Sequence, residues 1–171
     1  MVIRYAILTI SDRSSQGIRP DTSGAALITA VEQAGGSIIK SKVIPDDLEL
    51  IKNILSDWCD SNEIDILLTT GGTGFSPRDN TPEATQAVIE RSAPGIAEAM
   101  RLESLKITPH AMLSRAVAGI RKLTLIINFP GSPKAAIENF NVVLPVLAHA
   151  VDLLRENPTA EAGHNKIAKP L

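Results

Sequence analysis

The stretch Ile64-Asp65-Ile66-Leu67-Leu68-Thr69-Thr70-Gly71-Gly72-Thr73-Gly74, taken up again at Thr81-Pro82-Glu83, decides the fold of this 171-residue chain. Ile64 to Thr69 is a nearly unbroken apolar run, the pattern of a strand buried on both faces, as in parallel sheets. It feeds directly into a glycine-rich segment. Thr81-Pro82-Glu83 then supplies an N-cap hydroxyl, a proline at the first helical position and an acid in the first turn. The unit is therefore strand, glycine loop, helix. It recurs at Leu123 to Phe129, a second buried run followed by Pro130-Gly131, with Ser132-Pro133 as N-cap and first residue of a long helix. That helix carries the apolar stripe Ile137, Phe140, Leu144, Leu147, Val151 and Leu154.

The remaining chain fits around these units. Tyr5 to Ile10 reads as a buried strand ending in the loop Ser11-Asp12-Arg13. Leu27, Ile28 and Val31 mark a first helix, with Ser23 as its expected N-cap and Gly35-Gly36 as its stop. Ser37 to Ile44 is a second strand ended by Pro45. Leu48, Ile51, Leu55 and Trp58 then share one helical face, predicting a helix from about Asp47 to Asp60. Pro94 to Lys122 is expected to hold short helices and loops. Alternating strands and helices predict an α/β chain in three layers, α/β/α, around a mostly parallel sheet, with the ligand crevice at the C-terminal strand ends. The Thr69 to Gly74 and Asn128 to Ser132 loops should line one crevice. One domain over residues 1–155 is expected, with a flexible polar tail over 156–171.

Composition narrows the function. Lys and Arg number 17 against 19 Asp and Glu, so the chain lacks the basic footprint of a nucleic-acid binder. Aromatic residues make up 3% of it, too few for base-stacking platforms. The lone cysteine, Cys59, excludes an internal disulfide and a cysteine-rich zinc site, and points to a reducing cytoplasm. Beside Trp58 it reads as a small core residue. No stretch is expected to approach the length of a membrane helix, and no leader is expected at the N-terminus. His110, His149 and His164 show no ligand spacing and read as structural or surface residues.

The chemistry gathers at a few positions. Without Cβ atoms, Gly71, Gly72 and Gly74 allow positive φ and let backbone N–H groups approach an anion, and Thr70 and Thr73 add hydroxyls. The same spacing also suits a bare strand-to-helix turn. It is neither a Walker A loop nor a dinucleotide fingerprint. Asp79 can hold Mg²⁺ on a phosphate oxygen while Arg78 offsets charge, or it can serve as a helix-start acid paired with Arg78. Asp47 suits an N-cap, which leaves Asp46 free to supply the other half of a metal site or a base. Asp12 is taken as a turn residue. Pro130, Gly131, Ser132 and Pro133 can offer donors to a second anion or form a plain turn. Ser114 and Arg115 can meet a phosphate or lie in a solvated loop.

Thr70-Gly71-Gly72-Thr73-Gly74, then Asp79, then Thr81-Pro82-Glu83-Ala84 strongly resembles the signature of the molybdenum-cofactor biosynthesis family. Ile10-Ser11-Asp12-Arg13, Ile44-Pro45-Asp46-Asp47, Met112-Leu113-Ser114-Arg115, Gly119-Ile120-Arg121 and Asn128 to Pro133 resemble its molybdopterin adenylyltransferase branch, which includes MogA and the gephyrin G domains. The match runs from about Tyr5 to Arg155. The resemblance implies the MogA/MoaB-like fold and transfer of AMP from ATP to molybdopterin with release of pyrophosphate. It also implies Mg²⁺ dependence, a homotrimer, and a MoeA-like molybdenum insertase that receives the product. The two functional aspartates of the family fall on Asp46 and Asp79, its phosphate loop on Thr70 to Gly74, its Met-Leu-Ser-Arg serine on Ser114, and its second glycine loop on Pro130 to Pro133. Asn80 departs from the apolar residue often found there. Two rivals share the fold: a MoaB-type paralogue with little transferase activity, and a scaffold module that carries molybdopterin without chemistry. Paired acids near phosphates favour an enzyme.

Overall fold

The computed structural model describes residues 2–157. In chain order the elements are β1 (Arg4–Ile10), α1 (Asp12–Ser15), α2 (Thr22–Gln33), β2 (Ser37–Ile44), α3 (Leu48–Asp60), β3 (Ile66–Thr70), α4 (Thr81–Val88), β4 (Arg91–Ser92), α5 (Pro94–Leu105), a 3-10 turn (Pro109–Leu113), β5 (Ala118–Arg121), β6 (Thr124–Phe129) and α6 (Pro133–Leu154). Most of the expected tail, residues 158–171 with His164, lies outside the described residues.

The strands form one sheet in the order β2-β1-β3-β6-β5-β4. β2, β1, β3 and β6 run parallel, while β5 lies antiparallel to β6, and β4 to β5. Side chains alternate across the sheet as a period of two requires. Tyr5, Ile7, Ile66, Leu68, Leu125, Ile127 and Phe129 share one core with Leu27 of α2, Met100 of α5 and Phe140 and Leu147 of α6. Ala6, Leu8, Ile10, Leu67 and Ile126 point the other way, against Ile51 and Leu55 of α3 and Ala84 and Val88 of α4. The expected three layers follow.

From β1 the chain steps outward to β2, then returns to lay β3 on the opposite side of β1. That reversal opens a crevice beyond the C-terminal ends of β1 and β3. The glycine loop leaves β3 at that point, and the Pro130 to Ser132 loop leaves the adjacent β6.

Several expectations need correction. Pro94 to Lys122 contains a 12-residue helix and a strand, not short helices and loops alone. Two- and four-residue strands are too short to show a period. The N-cap of α2 is Asp21, whose carboxylate accepts from Gly24 N–H; Ser23 lies inside the helix. Thr81 is the first residue of α4 and not its cap; Asn80 takes the cap position without a side-chain bond. α6 does have the length and apolarity of a membrane span, yet its Phe140, Leu147 and Val151 are buried in the core.

Candidate active site

The site is built where two glycine turns touch. Gly71 and Gly72 have φ of 98° and 63°, the left-handed region open to glycine. At Gly71 a Cβ would also run into the Ile10 carbonyl of β1, so the loop lies directly against that strand end. Its N–H donates to Phe129 O at 3.1 Å. Thr70 is fully buried, and its hydroxyl donates to Pro130 O at 2.8 Å. It therefore joins the two turns and faces no cavity. Thr81, also fully buried, donates its hydroxyl to Gly71 O at 2.8 Å, while its N–H donates to Gly72 O at 3.1 Å. Behind them Asn128, a polar residue in an otherwise apolar strand, donates through Nδ2 to the Thr69 and Thr85 hydroxyls, both at 2.9 Å. Its Oδ1 accepts from Val117 N–H at 3.3 Å. This buried hub ties β3, α4 and the stretch before β5 to β6.

The paired turns form a wall between two cavities. One, of about 500 Å³, is polar: Gly71, Gly72, Gly131, Ser132 and Pro133 face Asp46, Asp79, Asp21 and Arg19. The other, of about 270 Å³, is mostly apolar, with Thr73, Gly74, Ser114 and Pro130 on the wall side and Met100, Leu113 and Ala116 opposite. Arg101, His110 and Asn139 add polar edges to it. His110 is exposed, as expected, and stands at this second cavity. Asp21 is a site residue that local reading missed. Its spacing to Ser23 and Gly24 after the first strand was the available signal.

The acids are coupled. Asp46 is 8% exposed; its Oδ2 accepts from Asp12 N–H at 2.9 Å, and Asp46 N–H donates back to Asp12 Oδ1 at 3.0 Å. Burial raises the Asp46 pKa above the ordinary carboxylate value, and the charges of Asp12 and Asp79 add to the rise. Asp12 is held low, chiefly by Arg78, which grips it through Nε at 3.0 Å and Nη2 at 2.9 Å. Asp12 is thus more than a turn residue, and Arg78 pairs with Asp12 and not with Asp79. Asp79 Oδ2 accepts from Ser76 N–H at 3.2 Å. Asp47 caps α3, accepting from Leu50 N–H at 2.8 Å, as expected.

Arg115 is not in a solvated loop: it donates through Nε to Gly74 O and through Nη2 to Asp79 O, each at 2.7 Å, and pairs with Glu83. Cys59 is fully buried, and burial pushes its thiol up to about 12.

Among the described residues no group of three or more His, Cys, Asp or Glu could hold a metal by itself. Asp46 and Asp79, two of the three carboxylates facing the polar cavity, fit a magnesium ion brought by phosphate oxygens. Mg²⁺ takes one or two carboxylates and completes its shell with water and substrate phosphates.

Comparison with known proteins agrees with the geometry. A family described as "Probable molybdopterin binding domain" matches residues 6–149. The chain is 41% identical over 157 residues to the molybdopterin adenylyltransferase of Helicobacter pylori, covering 91% of this chain and 89% of that protein. It is 47% identical over 162 residues to Dictyostelium discoideum gephyrin, covering 89% of this chain but only 22% of that much longer protein. The crystal structure of the molybdopterin biosynthesis enzyme MoaB from Thermus thermophilus superposes with a TM-score of 0.86 at 46% identity, covering 92% of this chain and 99% of that one.

Proposed function

The chain belongs to the molybdopterin-binding domain family of molybdenum-cofactor biosynthesis, and from that membership we propose that it is a molybdopterin adenylyltransferase, transferring AMP from ATP to molybdopterin. A terminal phosphate oxygen of molybdopterin attacks the α-phosphorus of ATP. The bond from that phosphorus to the oxygen bridging to the β-phosphate breaks, and pyrophosphate leaves. The observation that carries this reading is the wall of two touching glycine turns, with a polar, acid-lined cavity on one side and an apolar one on the other. A flat heterocycle suits the apolar cavity, and clustered phosphates suit the polar one.

The reaction gathers negative charge at one point, so the work of the protein is positioning and electrostatic stabilisation, with no side-chain nucleophile. The N–H group of Gly72 and the start of α6 behind Ser132 supply donors, while the Gly71 N–H stays on Phe129 O and holds the turn in place. Ser132 makes no side-chain cap bond, which leaves the first N–H groups of α6 available to a ligand. Arg78 is exposed and can turn its fork from Asp12 to a phosphate. A magnesium ion held on the phosphates by Asp46 and Asp79 would neutralise charge as pyrophosphate departs. The family resemblance also supports a homotrimer and handover of the product to a MoeA-like insertase, and the lone cysteine fits a cytoplasmic location.

The test is pyrophosphate release from protein, ATP, Mg²⁺ and molybdopterin. Wild type is expected to turn over, and Asp79→Ala to lose nearly all transfer while still binding molybdopterin. No release by micromolar wild type would assign the chain to a non-catalytic carrier. Wild-type rates in Asp79→Ala would remove Asp79 from the site.

A further inference from the structure

Between the glycine loop and Asp79 the chain passes through Phe75, Ser76, Pro77 and Arg78, all exposed. The loop has its own short bonds, Asp79 N–H to Ser76 O at 2.9 Å and Ser76 N–H to Asp79 Oδ2 at 3.2 Å, and its exposed Arg78 reaches Asp12, but the buried core does not grip it. Both its ends are held from outside by one residue. Arg115 N–H donates to Thr73 O at 2.9 Å, its Nε to Gly74 O at 2.7 Å and its Nη2 to Asp79 O at 2.7 Å. The third nitrogen, Nη1, meets the Glu83 carboxylate in the first turn of α4.

A guanidinium is planar, and its five N–H groups diverge at fixed angles. With Nε and Nη2 committed to the carbonyls on either side of the loop, the separation of Gly74 from Asp79 is set by the width of the group. Glu83 offsets the charge and holds the plane in place. Sequence alone offers Arg115 as a phosphate contact, but its nitrogens face carbonyls and a carboxylate of its own chain.

We propose that Arg115 is a positioning residue, a buckle that fixes the Asp79 carboxylate relative to the glycine loop through the Gly74 and Asp79 carbonyls. The proposal rests on the adenylyl-transfer reading, in which Asp79 helps to hold the magnesium on the phosphates. Lysine cannot replace the buckle, because one ammonium on a flexible stem cannot meet two carbonyls and a carboxylate in a plane. A phosphate contact, by contrast, would keep much of its value as lysine.

The experiment compares full-length wild type, Arg115→Ala, Arg115→Lys and Glu83→Ala in pyrophosphate release across a magnesium titration, and in amide hydrogen exchange over residues 74–80. Both Arg115 variants are expected to lose about 10- to 100-fold in kcat, the usual effect of removing a group that orients a metal ligand. Their half-saturating magnesium should rise while the KM for molybdopterin stays near wild type, and exchange over 74–80 should speed up. Glu83→Ala should move the same way by less, and it keeps the proposal testable if Arg115→Ala does not fold. Arg115→Lys with near-wild-type kcat and a raised KM for ATP would overturn the proposal in favour of a phosphate contact. Unchanged exchange over 74–80 in Arg115→Ala or Glu83→Ala would overturn it too. An inactive wild type would defeat the adenylyl-transfer reading alone, since the exchange measurement reports on the buckle without turnover.

Discussion

Asp46 carries its carboxylate where water hardly reaches, beside two other acids. Its pKa is therefore higher in the fold than in the unfolded chain, where the ordinary value is 3.8. Between those two values the folded state holds more protons. The stability that the neutral form allows is complete below the ordinary value and is lost as pH rises through the raised one. Asp46→Asn removes the charge and keeps an oxygen for Asp12 N–H. It is expected to raise the melting temperature by a few degrees at pH 7 and to abolish transfer, the trade usual at charged sites. The gain should vanish below about pH 4, where wild type is also neutral. Scanning calorimetry from pH 3 to 8 reads this directly, and a lower melting temperature for Asp46→Asn at pH 7 would contradict it. That Asp46 is a site candidate was legible from Pro45-Asp46-Asp47, because Asp47 had the cap position to itself. That it shares reciprocal hydrogen bonds with Asp12 was not legible, since the two lie 34 positions apart.

Among the elements, the glycine turn after β3 is the one whose shape sequence and tertiary structure specify together. Gly71 and Gly35 both have positive φ, 98° and 81°. At Gly35 a Cβ would meet open space, whereas at Gly71 it would strike the Ile10 carbonyl. Gly35→Ala is expected to cost about 1–2 kcal/mol, the penalty of the left-handed region alone. Gly71→Ala should cost clearly more and push the loop away from β1, with a matching loss of transfer. Urea unfolding of the two variants makes the comparison, and equal costs would mean that the contact with β1 does not matter. α6 shows propensity overridden: Pro145 sits inside the 22-residue helix, yet Val143, Leu147 and Val151 are buried on either side of it and the helix continues. The β4 and β5 strands escaped prediction for a related reason. Their pairing is a property of the neighbouring β6 edge, not of their own few residues.

At the scale of the whole molecule, the end of the sheet opposite the site is fastened by Asp65. It is 1% exposed and accepts from Arg4 N–H at 2.8 Å and Arg4 Nη2 at 3.0 Å, with Arg155 at the end of α6 as a second partner. Burial alone would raise its pKa, but the Arg4 hydrogen bonds and the two positive charges bring it below the ordinary value. The stability it contributes is therefore present above the ordinary carboxylate pKa and is lost as pH falls through the depressed one. Asp65→Ala removes the buried carboxylate that Arg4 and Arg155 share, and since both guanidinium groups are about a third exposed, a loss of about 1–3 kcal/mol is expected. Chemical denaturation measures it. Because the triad lies at the far end of the strands, the folded fraction of Asp65→Ala should keep wild-type transfer per molecule. A variant that stays folded with a damaged rate would show coupling across the sheet.

The sequence by itself determined the alternation of strands and helices, the two glycine turns, the caps at Asp47 and Ser132, and the short list of acids and loops from which the site is drawn. Those features depend on residues a few positions apart, where apolar periodicity, proline and the missing Cβ of glycine act directly. Only the tertiary structure decided which charges meet. Arg78 reaches Asp12 across 66 positions, and Arg115 reaches Gly74 across 41. Such pairings follow from strand order and from how closely the turns pack against β1, and no local pattern encodes them. They turned one expected turn residue into a partner of Asp46, and one expected phosphate contact into the clasp of the loop that carries Asp79.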